Sequence, residues 1–167
     1  SYSQQIFYPT ELEAGIITKM AFQTSGAITR NNVEIYLNTT DVNNFSSNSV
    51  WVEQGEKVFT GTLKSTAAGW IEIALDEPYQ YDASKNLVVT VYNKSNTDAG
   101  YNYFYSTSTS SNSSMYASGS NSSFNPASTS TRKTVKSYRS NTKFTVQSVV
   151  PGTQAKNQEA YFNIPDT

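Results

Sequence analysis

Residues 32–39 read Asn-Val-Glu-Ile-Tyr-Leu-Asn-Thr, and apolar side chains alternate with polar ones along the stretch. Successive side chains of an extended strand point to opposite faces, so Val33, Ile35 and Leu37 share one face. Tyr36 must then lie on the other face. The stretch therefore predicts a β-strand with one face in the core and the other face open.

The same alternation recurs along most of the chain. It predicts that Trp70 and Glu72 point outward from residues 69–75, and that Tyr92 points outward from residues 86–93. The other inward positions that it predicts are Ile16, Met20, Phe22, Ile71, Ile73, Leu75, Leu87, Val89, Val91, Phe144 and Val146. No segment shows a helical stripe. Short strands separated by turn residues predict an all-β, antiparallel two-sheet sandwich.

The sandwich is expected to occupy residues 1–148. Within it, residues 106–131 are rich in Ser and Asn and are either disordered or an ordered long loop. Met115, Tyr116 and Phe124 favour the ordered loop, because side chains of this kind are usually buried.

Residues 149–167 form a C-terminal tail after Pro151-Gly152 breaks the pattern. Residues 159–164 within the tail resemble one more short strand. Three interpretations stay open: pairing with the parent sheet, addition to a neighbouring chain, or a linker to a further domain.

The composition excludes several classes of function. The 167 residues include no histidine and no cysteine, which rules out Ser–His–Asp and Cys–His catalysis. Charged residues make up 15% and the net charge is −1, so the chain has little attraction for nucleic acid or an anionic membrane. No apolar run is long enough for a transmembrane helix. Low charge with abundant Ser, Thr, Asn and Tyr favours a secreted or cell-surface protein.

Glycoside hydrolysis needs only two carboxylates, and Glu34 and Glu72 are candidates on neighbouring strands. Nothing in the sequence indicates that either is buried enough to raise its pKa, and a flat sheet face offers no cleft. We therefore expect no enzymatic activity.

Twelve tyrosines and two tryptophans are concentrated at outward strand positions. In residues 101–105, burying Phe104 exposes three tyrosines on one face. A pyranose packs its C–H face on such rings, while phenol, amide and carboxylate groups bind its hydroxyls. The predicted carbohydrate-binding residues are Tyr36, Trp70, Glu72, Tyr92, Tyr101, Tyr103 and Tyr105.

A structural interpretation of these tyrosines stays open beside the binding one. Cross-strand aromatic pairs stabilise sheets, and residues 106–131 could cover the rings. A β-bulge would also invert the expected orientation.

An ordered series of segments suggests a family. The segments are residues 3–7 (Ser-Gln-Gln-Ile-Phe), 15–22 (Gly-Ile-Ile-Thr-Lys-Met-Ala-Phe), 33–37, 58–61 (Val-Phe-Thr-Gly), 69–75, 78–82 (Pro-Tyr-Gln-Tyr-Asp), 86–89 and 138–141 (Tyr-Arg-Ser-Asn). Together they resemble the cleaved-adhesin family of Bacteroidetes surface proteins, the adhesin domains found in gingipains. The Gly-Trp unit belongs to the family pattern whatever the ligand, so Trp70 alone favours a structural role.

The resemblance implies a jelly-roll-like sandwich without catalytic activity, often one module of a larger secreted protein, and frequently bound calcium. Calcium needs six to eight oxygen ligands, which acidic loops can supply. Solvated turn aspartates are the ordinary interpretation of such loops. If a calcium ion binds, we expect Asp41 and Asp82 to be its ligands.

We therefore predict a non-catalytic carbohydrate-binding module whose partner is a polysaccharide or glycan. The alternative is a structural or protein-binding adhesin module with no glycan ligand. Its partner would be another module of the same polypeptide or a host protein.

Overall fold

The computed structural model describes residues 1–95, 101–118, 125 and 133–148, together with the backbone of residues 156–162. These parts of the chain contain no helix long and apolar enough to cross a membrane. The strands are β1 (Tyr2–Phe7), β2 (Gly15–Thr24), β3 (Ile28–Thr40), β4 (Glu56–Ser65), β5 (Gly69–Tyr81), β6 (Asn86–Asn93), β7 (Ser106–Ser108), β8 (Ser114–Ala117), β9 (Thr134–Lys136), β10 (Tyr138–Ser140), β11 (Thr142–Ser148) and β12 (Lys156–Phe162).

Two antiparallel sheets pack face to face. The large sheet has the strand order β4-β3-β6-β1-β8-β9, and the small sheet has the order β12-β11-β2-β5. Strands β10 and β7 form a separate two-stranded ribbon. The predicted all-β, antiparallel two-sheet sandwich is confirmed.

The core between the sheets follows the alternation in the sequence. Phe7 on β1 and Phe144 on β11 meet edge to face across the two layers, with ring centroids 5.1 Å apart. Full burial of each large apolar side chain stabilises the fold by roughly 1.5–3 kcal/mol. The predicted inward residues that are buried in this core are Met20, Phe22, Val33, Ile35, Leu37, Ile71, Ile73, Leu75, Leu87, Val89, Phe144 and Val146.

A bulge in β2 changes one of these predictions. Ile16 was expected to share the buried face with Met20 and Phe22, but Ile17 is the buried residue and Ile16 is partly exposed. The register of β2 shifts between Ile17 and Lys19 against β5. An extra residue at a bulge inverts the alternation on one side of it.

A second apolar cluster lies on the outer face of the large sheet. Residues 41–55 join β3 to β4 and are termed the covering loop. Its Phe45 and Trp51 belong to one cluster with Tyr2 and Ile6 of β1. The rings of Tyr2 and Trp51 meet edge to face, with centroids 4.9 Å apart. The large sheet is thus covered on both faces.

Gln4 fastens the covering loop to β1. Its side-chain carbonyl accepts the Val52 N–H at 2.9 Å, and its amide nitrogen donates to the Val52 carbonyl at 2.7 Å. The same nitrogen lies 3.0 Å from the Thr90 hydroxyl. Gln4 is fully buried, so displacing the loop would leave a buried amide without partners.

Arg139 ties β10 to the first turn of the chain. Its guanidinium donates to the two carboxylate oxygens of Glu11 at 2.8 and 2.6 Å and to the Ile6 carbonyl at 2.9 Å. It also lies over the Phe7 ring, 4.5 Å from the centroid. Burial alone would raise the pKa of Glu11, but hydrogen bonds from Arg139 and the Tyr8 N–H outweigh it and lower that pKa.

The tail strand pairs with the parent sheet. Backbone pairing of β12 with β11 runs from residue 162 opposite Thr142 to residue 156 opposite Ser148. The strand begins three residues earlier than the sequence predicted. Of the three open interpretations, the described backbone supports the first.

The Ser- and Asn-rich stretch is ordered where it is described. Met115 in β8 is fully buried and Tyr116 is partly buried, while Phe124 lies outside the described residues. Residues 101–105 form one isolated bridge, from Phe104 to Thr24, before β7 begins.

We expect Gly55→Ala to lower the free energy of unfolding by about 1–3 kcal/mol. Gly55 has a φ of 75°, and an added Cβ would lie 2.6 Å from the Leu37 carbonyl oxygen. Chemical denaturation measures the change. Gly61→Ala is the control, because its nearest neighbour is the Phe59 ring at 3.0 Å and not backbone. Equal losses in the two variants would contradict the explanation.

We expect Arg139→Met to lower the free energy of unfolding at pH 7 by about 3–5 kcal/mol, because the Glu11 charge loses its buried partner. The lowered pKa of Glu11 means that the pair stabilises the fold fully above the ordinary carboxyl pKa. This contribution is lost as the pH falls through the pKa of Glu11 in the folded protein.

Denaturant titrations of wild type and Arg139→Met between pH 7 and pH 3 test this expectation. The difference in stability should shrink toward acid pH. Lys19→Met is the control, because Lys19 pairs with Glu72 at 3.4 Å and both side chains are exposed. That variant should lose less than about 1 kcal/mol. A pH-independent difference for Arg139→Met would contradict the assignment.

Candidate functional site

The predicted binding residues divide between the two outer faces of the sandwich. Tyr36 and Tyr92 point outward from the large sheet, as the alternation predicted, because Ile35 and Val91 are the residues that face the core. Trp70 and Glu72 point outward from the small sheet. The prediction that all these residues share one exposed aromatic sheet face is therefore wrong.

On the large sheet, Tyr36 is held in a polar network. Its hydroxyl donates to the Glu34 carboxylate, which also forms ion pairs with Lys94 and Lys57. Burial alone would raise the pKa of Glu34, but hydrogen bonds from Lys94 and Tyr36 outweigh it and lower the pKa. Burial and the bond to Glu34 raise the pKa of Tyr36 well above its ordinary value. The phenol therefore stays protonated as a donor to the carboxylate.

Tyr92 packs into the cluster under the covering loop. Its ring meets Tyr2 edge to face, with centroids 5.4 Å apart, and the ammonium of Lys94 lies 4.8 Å from its centroid. Tyr36 and Tyr92 are both partly buried. Contacts of this kind stabilise a sheet, so they favour the structural interpretation of these two tyrosines.

Residues 101–105 lie antiparallel to the end of β2. The Ser25 N–H donates to the Tyr103 carbonyl and the Tyr105 N–H donates to the Gln23 carbonyl, each at 2.9 Å. Phe104 therefore faces inward, where its ring centroid lies 6.3 Å from that of Phe22. The predicted outward tyrosines are exposed by 102% at Tyr101, 57% at Tyr103 and 37% at Tyr105.

These tyrosines continue the outer face of the small sheet. Gln23 is paired with Trp70 on one side and hydrogen-bonded to Tyr105 on the other, so the three side chains point the same way. Trp70 and Tyr105 are thus two strand spacings apart, or about 10 Å. The rings of Tyr103 and Tyr105 meet edge to face at 5.4 Å. We term Trp70, Tyr105 and Tyr103 the outer aromatic row.

Polar and charged groups border the outer aromatic row. The Lys143 ammonium lies 4.5 Å from the Trp70 ring centroid, and Lys19 forms an exposed ion pair with Glu72 at 3.4 Å. The Asn102 side chain donates to the Ala27 carbonyl at 2.7 Å, which orders the turn beside Tyr103. The surface combines open rings with donors and acceptors held close to them.

Glu34 and Glu72 do not form a pair. They lie on the outer faces of different sheets, with the core between them. Two carboxylates must flank one glycosidic bond in the usual hydrolytic mechanisms. This particular pair therefore cannot act on one substrate.

Asp41 and Asp82 do not fit a calcium site as they are placed. Asp41 forms an ion pair with Lys85 at 3.3 Å. Asp82 accepts the Ser84 N–H at 2.9 Å and the Ser84 hydroxyl at 2.7 Å, and these bonds lower its pKa. Within the described ranges, no three acidic, histidine or cysteine side chains lie together as metal ligands would. Calcium binding stays a prediction that this geometry does not support.

A groove that the alternation did not predict lies between the layers. Two adjoining cavities of about 200 and 190 Å³ lie against the inner face of the large sheet. Their shared wall consists of Ser3, Gln5 and Ser140. Ser3, Gln5 and Phe7 alternate on the inward face of β1. Two polar residues at inward positions were the sequence signal that could have indicated the groove.

These features define an antiparallel β-sandwich domain with a ring-lined outer face. Residues 9–146 match the family described as "Domain of unknown function (DUF4082)", and the chain belongs to this family. Comparisons with curated proteins and with solved structures give no match.

Proposed function

We propose that this domain is a non-catalytic carbohydrate-binding module of a secreted or cell-surface protein. Its ligand is a polysaccharide or glycan chain that lies across the outer aromatic row. The observation that supports this most directly is the exposure of Tyr103 and Tyr105 beside Trp70 on one outward face.

The chemistry of the row suits a neutral saccharide. Ring faces pack against the C–H face of a pyranose, and the amide of Gln23 and the carboxylate of Glu72 can bind hydroxyl groups. Both signs of charge are present, as Lys19, Lys143 and Glu72, so the face does not select a strongly charged partner. Each stacked ring adds about 0.5–1.5 kcal/mol beyond the area that it buries. Three rings are enough for the weak affinity of a surface module.

A protein-binding adhesin module is the alternative. Tyr and Trp are also the residues that dominate protein–protein hot spots, and Tyr101 is fully exposed beside the row. The resemblance to cleaved adhesins supports a surface-binding role in either case. The exposure of these rings and their polar neighbours favour the saccharide, because a protein hot spot requires a closely packed, desolvated centre.

We expect Trp70→Ala, Tyr103→Ala and Tyr105→Ala each to weaken saccharide binding by roughly 2- to 10-fold, because each removes one stacked ring. A glycan array followed by isothermal titration with the best soluble oligosaccharide measures the change. Circular dichroism verifies that each variant is folded.

Val50→Ala is the control, because Val50 is 66% exposed on the covering loop at the opposite face. It should leave the affinity unchanged. If no glycan on the array binds, or if the row variants bind as tightly as wild type, the outer aromatic row is not a saccharide site. Binding of a protein partner that the same variants abolish would favour the adhesin alternative.

A further inference from the structure

The groove between the sheets lies where the ribbon of β10 and β7 meets β1. The Arg139 guanidinium of β10 donates to the Ile6 carbonyl, and the Ser140 N–H donates to the Gln5 side-chain carbonyl. In this part the inward residues of β1 change from apolar Phe7 to polar Gln5 and Ser3. We term the space lined by Ser3, Gln5 and Ser140 the inter-sheet groove.

Gln5 presents an unused donor to this groove. The side chain is 5% exposed, and its carbonyl oxygen accepts the Ser140 N–H at 2.6 Å. Because an N–H can donate only to the amide oxygen, this bond assigns the oxygen and the nitrogen of the Gln5 amide. Among the described residues this nitrogen has no hydrogen-bond partner, and Gln5 lines both cavities. The nitrogen opens onto the groove, so it can donate to a molecule that enters there.

Aromatic side chains line both cavities of the inter-sheet groove. Phe22 and Phe104 line the first cavity, and Tyr116 and Tyr138 line the second. Hydroxyls of Ser3, Ser114 and Ser140 and the amides of Gln5 and Asn93 lie between and around them. Arg30 is the one charged side chain among the described residues that line it. Val33, Leu63 and Val91 add an apolar wall. Hydroxyls and amides beside aromatic and apolar side chains suit a ligand that combines hydroxyl groups with C–H faces.

We propose that the inter-sheet groove is a second saccharide-binding site, in which the Gln5 amide nitrogen donates to a sugar hydroxyl. This inference rests on the proposed function, because it assigns the same class of ligand. The groove is separated from the outer aromatic row by residues 101–105, whose Phe104 lines the groove while Tyr103 and Tyr105 face outward. One segment thus contributes to two sites on its opposite sides.

Gln5→Glu and Ser3→Phe test the groove. The carboxylate of Gln5→Glu still accepts the Ser140 N–H, but it removes the free donor. Ser3→Phe fills the wall shared by both cavities. We expect each variant to weaken binding in the groove about tenfold. The probes are β-1,4-linked hexaoses of glucose, xylose and mannose and a panel of N- and O-linked oligosaccharides.

The readout is the side-chain amide signals of Gln5 in nitrogen–proton correlation spectra of the whole chain, together with titration calorimetry. A bound sugar should shift these signals in wild type. Val50→Ala on the covering loop is the matched control, and it should leave the shift of the Gln5 signals intact. If Gln5→Glu does not fold, Ser3→Phe and the wild-type amide signals decide the matter.

The outcomes separate the two proposals. If a saccharide binds but moves no Gln5 signal and is weakened only by row variants, the groove is refuted and the proposed function stands. If groove variants alone weaken binding, the groove is supported and the outer aromatic row is refuted. If none of the probes binds, both proposals are refuted.

Discussion

Strands β1 and β6 carry buried apolar side chains on both faces, and this constraint determines how the rest of the domain is arranged. Ile6 and Phe7 are adjacent on β1, Val88 and Val89 are adjacent on β6, and all four are at most 1% exposed. Because neighbours on a strand point to opposite faces, both faces of the large sheet must be removed from water. The small sheet buries one face and the covering loop buries the other. Within the described part of the chain, the exposed rings of Tyr103 and Tyr105 lie on the outer face of the small sheet.

Much of the fold could be predicted from the period of two. The inward positions on β3, β5 and β6 and the inward turn of Phe104 are as the alternation indicates, because burial of one face imposes it. The bulge in β2 could not be predicted from the sequence, because Ile16 and Ile17 are equally apolar and either could face the core. The covering loop was also missed, because Phe45 and Trp51 are isolated in a polar stretch and their partners on β1 are distant in sequence.

The candidate site was predicted in part for the same reason. Alternation states whether a side chain points outward, and it was right for Tyr36, Tyr92, Trp70 and residues 101–105. Alternation does not predict which of the two sheets a strand joins, or which other segments cover the outer face of that sheet. The run Leu87-Val88-Val89 was the available signal, because continuous apolar strands are typically buried on both faces. That signal would have predicted that another segment covers the outer face of β6, including Tyr92.

The position of β12 has a mechanical consequence. Strand β1 lies inside the large sheet between β6 and β8, whereas β12 is the outermost strand of the small sheet. Tension applied through the polypeptide beyond β12 would peel it from β11 one pair at a time, and each step breaks few hydrogen bonds. Tension at β1 would have to shear two strand interfaces at once. A domain anchored at both ends would therefore yield first at its C-terminal edge, lengthening its tether while the sandwich and the outer aromatic row stay intact.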